Sequence, residues 1–150
     1  MREIFLNLIK RVRKFIFWLW KQEGSPYQRS LGFGVGIFSG CFPFFGFQTL
    51  MGVFLAKIFK GNTILAAVGT WISNPFTYVP LYYFNYRLGS LLLDQEQIRV
   101  DLSHITNNEL WSQGWQLSSR LIMGSTCVGF VTGIIGGFCL YFSLKKLSNT

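Results

Sequence analysis

Three long stretches without a charged residue constrain this chain more than anything else in it. Leu31–Ala56 and Gly61–Tyr86 are each 26 residues long, and Leu121–Leu144 is 24. A helix crosses the ~30 Å hydrocarbon layer of a bilayer in about 20 apolar residues. All three stretches are long enough, and a water-soluble domain of this size seldom carries even one. Charged residues make up 13% of the 150 residues. A soluble domain has about 25%, so roughly half of the usual polar coat is missing. The mean hydropathy of +0.34 agrees. The chain reads as an all-α, small polytopic membrane protein.

The net charge of +8 is unevenly spread: +5 in residues 1–30, +3 in 31–93, −2 in 94–120 and +2 in 121–150. That distribution puts the charge in the wrong places for a nucleic-acid binder, so nucleic acid is not an expected partner. Residues 2–21 place Ile4, Leu8, Val12, Ile16 and Trp20 at four-residue intervals, with Lys10, Arg11, Arg13 and Lys14 largely on the other face. That is a basic amphipathic helix suited to the headgroup plane, or one packed on the protein's own core. The longest early apolar run, Phe15–Trp20, is too short for a cleavable signal. Gly24-Ser25-Pro26 ends the helix. Short Lys/Arg-rich flanks stay in the cytoplasm, which puts the N-terminus there.

Two of the uncharged stretches are interrupted. Pro43 and Gly46 divide 31–59 into a short half (31–42) and a second half (47–59). Asn74-Pro75 divides 61–93, with Asn62 as N-cap for 63–73, and Pro80 is expected to kink the piece that follows. Polar side chains gather around these breaks: Gln48, Thr49, Thr70, Ser73, Asn74 and Thr77. Backbone groups left unpaired in hydrocarbon cost several kcal/mol each, so the breaks need partners. Paired interruptions in successive units point to a midplane site, and half-helix ends suit an anionic group. The competing reading is structural: polar side chains that knit helices together without a ligand.

Small residues recur every fourth position at Gly32, Gly36 and Gly40, and again at Ser125, Gly129, Gly133 and Gly137. Such stripes let backbones approach closely. The expectation is a contact between the two stripes, or self-association into a homo-oligomer. Topology follows from charge. Lys145 and Lys146 belong with the N-terminus, which three plain crossings forbid. A re-entrant hairpin over 31–60 resolves this and brings Lys57 and Lys60 to the same side.

Chemistry-bearing motifs are sparse. His104 is the sole histidine and lies in a polar stretch; no HExxH, GxSxG or phosphate loop occurs. Cys41, Cys127 and Cys139 lack paired spacing and read as small hydrophobes. No metal, cofactor or catalytic residue is expected.

The run Gly32-Phe-Gly-Val-Gly-Ile-Phe, then Pro43-Phe-Phe-Gly46-Phe-Gln48-Thr49, Asn62, Gly69-Thr70-Trp71-Ile72-Ser73-Asn74-Pro75-Phe76-Thr77, Pro80-Leu-Tyr82-Tyr83 and Leu88-Gly89 resembles an uncharacterised bacterial membrane family, domain of unknown function 2062. The likeness covers about residues 20–146. It implies an integral, multi-pass protein of a bacterial inner membrane, of unknown activity. Some relatives of this kind carry a glycosyltransferase domain on the same chain, which points to work near lipid-linked sugars. The architecture is also similar to re-entrant-loop transporters of polyprenyl-phosphate carriers.

The expected organisation is thus a basic interfacial helix and linker (1–30) and a membrane domain (31–146). The latter comprises a broken or re-entrant segment (31–59), a second broken segment (61–93), a polar loop (94–120) and a transmembrane helix (121–144). The expected function is binding or translocating a lipid-linked or anionic substrate at midplane breaks. The alternative is a non-catalytic scaffold acting beside a glycosyltransferase, with membrane lipids as partners in both.

Overall fold

The computed structural model describes residues 10, 11, 14, 18, 21–44, 46–93 and 107–148, with side chains of the last segment over 114–146. The amphipathic helix expected over 2–21 falls almost wholly outside these residues; 10, 11, 14 and 18 are helical and exposed. The described residues are all-helical: α1 (Pro26–Gly40), α2 (Phe47–Ile58), α3 (Thr63–Gly69), a 3-10 turn (Thr70–Ile72), α4 (Tyr78–Leu92) and α5 (Asn107–Ser148). One helix, within Gly114–Lys146, is long and apolar enough to cross a membrane.

Helix α1 begins five residues before the uncharged stretch does. Ser25 caps it: its Oγ accepts from the N–H of Gln28 (3.2 Å), and Gln28 Oε1 accepts from the N–H of Ser25 (2.9 Å), with Pro26 at the first helical position. This capping box and N-terminal proline are ordinary start signals. Arg29 inside the first turn hides them from any reading based on charge.

Glycine contacts fix how the helices lie. A Cβ at Gly34 would meet the carbonyl of Gly133 at 2.7 Å, one at Gly129 the carbonyl of Phe38 at 2.9 Å, and one at Gly137 the carbonyl of Ser30 at 3.2 Å. α1 and α5 are therefore antiparallel and in near-backbone contact. Cβ atoms at Gly32, Gly36 and Gly40 would fall on Asn62, Ala66 and Thr70, so α1 and α3 run parallel. The two glycine stripes consequently do not face each other, contrary to the contact expected from the sequence. Positions 32/36/40 and 30/34/38 differ by two residues, about 200° around a helix, so α1 shows α3 one small-residue face and α5 the other.

α2 returns antiparallel to α1. Gly52 lies beside Ser39, and Gly61 beside Gly32. The N–H of Asn62 reaches the carbonyl of Gln28 (2.8 Å), and Asn62 Nδ2 that of Glu23 (2.8 Å). The segment 26–60 thus starts and finishes at one end of the molecule. Asn62 also caps α3, its Oδ1 accepting from the N–H of Leu65 at 2.9 Å.

α4 packs antiparallel on the other half of α5. A Cβ at Gly124 would sit on the carbonyl of Asn85, and one at Gly89 on that of Arg120. Pro80 does not kink this helix. It is the third residue of α4, where its missing N–H is one that no intrahelical carbonyl would have met. The stretch 94–120, expected as loop, is helical from Asn107, and α5 runs 42 residues, about 63 Å. Polarity marked 107–120 as solvent-facing, but nothing in it stops a helix: it holds no proline and one glycine.

These directions place the described basic residues: Lys21, Arg29, Lys57, Lys60, Lys145 and Lys146 lie at the end where α1 starts and α5 finishes, whereas Arg87 and Arg120 lie toward the opposite end, where α4 finishes and α5 starts. Much of the outer surface is apolar: Phe47, Leu50 and Phe54 on α2, Val79, Tyr83 and Leu91 on α4, and Phe130, Ile135, Phe138 and Phe142 on α5 are exposed.

Candidate functional site: the junction of two helix breaks

The residues that flank the two breaks meet. Break one (41–46) follows α1, and break two (73–77) follows the 3-10 turn. Gly40 lies against Thr70 and Ile72, and Thr49 Oγ1 is 3.1 Å from Thr70 Oγ1. Along α5 the junction lies between Ser125 and Thr132: Cys41 Sγ is 3.7 Å from Thr132 Oγ1, and Asn85 joins Cys41 to Ser125. That level is about one turn from the middle of the uncharged run 121–144.

Break one needs partners for its carbonyls, and α4 supplies them. Asn85 Nδ2 donates to the Cys41 carbonyl (2.9 Å) and to Ser125 Oγ (2.9 Å); Tyr82 Oη donates to the Phe42 carbonyl (3.2 Å). Gly46, at φ +82°, lets the chain turn into α2, a backbone that L side chains avoid.

Break two closes on itself. Asn74 Oδ1 accepts from the N–H groups of Phe76 (2.9 Å) and Thr77 (3.2 Å), and Thr77 Oγ1 donates to the carbonyl of Ile72 (2.6 Å). This is an Asx turn stitched back to the 3-10 segment, with Asn before proline as such turns prefer. Phe76 at its tip is 92% exposed. Ser73 Oγ reaches the Thr70 carbonyl at a long 3.4 Å. Thr70, only 1% exposed, donates to Ala67 (2.7 Å) as well as touching Thr49.

Of the six side chains expected to line a site, the structure thus brings Thr49, Thr70 and Ser73 to the junction, and Gln48 stands in the first turn of α2, its N–H bonded to the carbonyl of Phe44 (2.9 Å). Asn74 and Thr77 face their own turn instead. Two side-chain oxygens at buried positions have no hydrogen-bond partner: Gln48 Oε1 and Asn85 Oδ1. Both are acceptors. Free acceptors attract hydroxyl or amine donors and repel phosphate or carboxylate, which counts against an anionic group at the junction itself.

Sequence reading missed Asn85, Arg120 and Tyr86. Asn85 is 0% exposed, and Arg120 is 2% exposed with its guanidinium 2.9 Å from Tyr86 Oη and 5.6 Å from that ring's centre. An Asn set among the aromatic residues Tyr82, Tyr83, Phe84 and Tyr86 was a usable signal, since buried polar groups in apolar segments are expensive and placed. Arg120 at the edge of the polar stretch gave none. Among the described residues no three His, Cys, Asp or Glu side chains come together, and Cys41, Cys127 and Cys139 are free thiols.

These features define a class: an all-helical protein with one membrane-length helix, around which shorter helices break at a shared level. The chain belongs to the bacterial family described as an uncharacterized protein conserved in bacteria (DUF2062), whose pattern matches residues 9–149. No curated protein and no solved structure matches it.

Proposed function

We propose that the chain is a multi-pass inner-membrane protein that binds a lipid-linked substrate at the junction of its two breaks. In this arrangement α5 crosses the bilayer. α3, the 3-10 turn and α4 cross it in tandem, and α1–α2 form a re-entrant hairpin. The large exposed apolar surface supports membrane residence, because monomeric soluble proteins rarely show such patches. The six basic residues at the end where α1 starts support an orientation in which that end faces the cytoplasm.

The observation that carries the binding reading is the partnerless Gln48 Oε1, one residue before the Thr49 that contacts Thr70. A buried carbonyl-type acceptor without a partner is costly. A hydroxyl-bearing group of a lipid-linked sugar would satisfy it. The protein does no chemistry on this substrate; it holds or passes it.

A second reading has its own support. Tyr82, Asn85, Asn74 and Thr77 satisfy the broken backbone internally, as a scaffold standing beside a glycosyltransferase would require. Lipid analysis of a deletion strain separates the two. Build-up of one lipid-linked intermediate, reversed by the wild-type chain and not by Gln48→Leu, supports the binding reading. An unchanged lipid profile supports the scaffold.

A further inference from the structure

An apolar groove of about 600 Å³ runs along the outside of the α1–α5 contact and is walled by α2. Gly34, Gly133 and Gly137 form its floor; Leu55 and Phe59 stand on one side and Ile134 and Phe138 on the other. One end is closed by Phe38 and Phe130, whose rings meet edge to face at 6.2 Å. Phe38 also packs edge to face on Phe42 at 5.2 Å, which separates the groove from the break junction. The other end opens at Tyr27, Phe59 and Tyr141, on the basic end of the molecule. Lys145 Nζ stands 6.0 Å from the centre of the Tyr141 ring, and Lys60 directly follows Phe59.

We infer that this groove holds a hydrocarbon chain of an anionic phospholipid, its headgroup at Lys145 and Lys60. The inference rests on the proposed membrane placement and not on the junction as a binding site.

The groove follows α5 from Phe130 to Tyr141, about 16 Å at 1.5 Å per residue. Its floor is closed to a second helix: Gly34, Gly133 and Gly137 already sit against backbone across the α1–α5 contact, so they leave no small-residue face for another backbone to approach. Charge selects the headgroup. Lysines at the mouth of an apolar groove attract the anionic lipids of the cytoplasmic leaflet, and the groove itself offers a headgroup nothing polar.

The test uses the full chain, stripped of lipid in detergent and reconstituted into vesicles of equal parts phosphatidylglycerol and phosphatidylcholine. Native mass spectrometry after re-extraction then counts retained lipid. Preferential retention of phosphatidylglycerol, lost in both Val35→Trp and Ile134→Trp at unchanged helix content, supports the proposal. Lys145→Gln should lower the preference about fivefold, the worth of one lysine near an anionic surface. Equal retention of the two lipids, or retention that survives both tryptophans, overturns it. So does a dimer that Val35→Trp splits, which would assign the groove to a second copy. Failure to float with the vesicles refutes the membrane placement, and the lipid site with it; flotation without retention refutes the groove alone.

Discussion

Asn85 Nδ2 donates to the carbonyl of Cys41 across 2.9 Å, and this bond ties α4 to the broken end of α1. The same amide reaches Ser125 Oγ at 2.9 Å, so one fully buried side chain clamps three helices at the level where two breaks meet.

Removing that clamp should show first in stability. Asn85→Ala leaves the Cys41 carbonyl without its side-chain donor and is expected to cost about 1–3 kcal/mol. Ser125→Ala leaves the Cys41 bond in place and should cost about 1 kcal/mol or less. Reversible unfolding of the purified protein in mild detergent measures both. Equal losses would mean that Asn85 acts through α5 rather than through the break.

Two glycines of α5 should respond in opposite directions to one added methyl. At Gly124 a Cβ would sit on the Asn85 carbonyl, so Gly124→Ala forces α4 and α5 apart, at a cost on the order of 1–3 kcal/mol. At Gly114 nothing lies within 4 Å, and Gly114→Ala should stabilise the helix by about 0.5–1 kcal/mol. Thermal melts of the two variants check the pair.

The helical class, the break positions and the Asn62 cap were legible because each depends on local chemistry: uncharged runs, Asn-Pro and an N-cap preference. The length of α5 was not, since polarity at 107–120 says where water is and not where a helix stops. The partners of the glycine stripes were hidden for a different reason. A stripe shows that a backbone comes close, but not whose, and α1 carries small residues on two faces. At the candidate site, the residue types pointed to buried polarity near Pro43 and Pro75. Which of them bond within their own turn, as Asn74 does, and which reach across, as Asn85 does, depends on tertiary contacts between residues some 40 positions apart.

Asn74 and Gln48 should therefore part company on substitution. Asn74→Ala removes the acceptor of two turn N–H groups and should lower stability by about 1 kcal/mol. Gln48→Leu gives up no hydrogen bond at Oε1. It should leave folding and abundance unchanged while abolishing complementation of a deletion strain. Loss of abundance in Gln48→Leu would place Gln48 among the structural residues.

The orientation of the hairpin bears most directly on the whole account, and site-directed labelling of single cysteines in intact and permeabilised cells measures it. With the native cysteines replaced, cysteines at Lys60 and after Thr150 are expected to react only once the inner membrane is opened. One placed just after Leu93 should react in intact cells with a permeable outer layer. Lys60 and the C-terminus reacting from opposite sides would contradict the re-entrant hairpin and, with it, the shared depth of the two breaks.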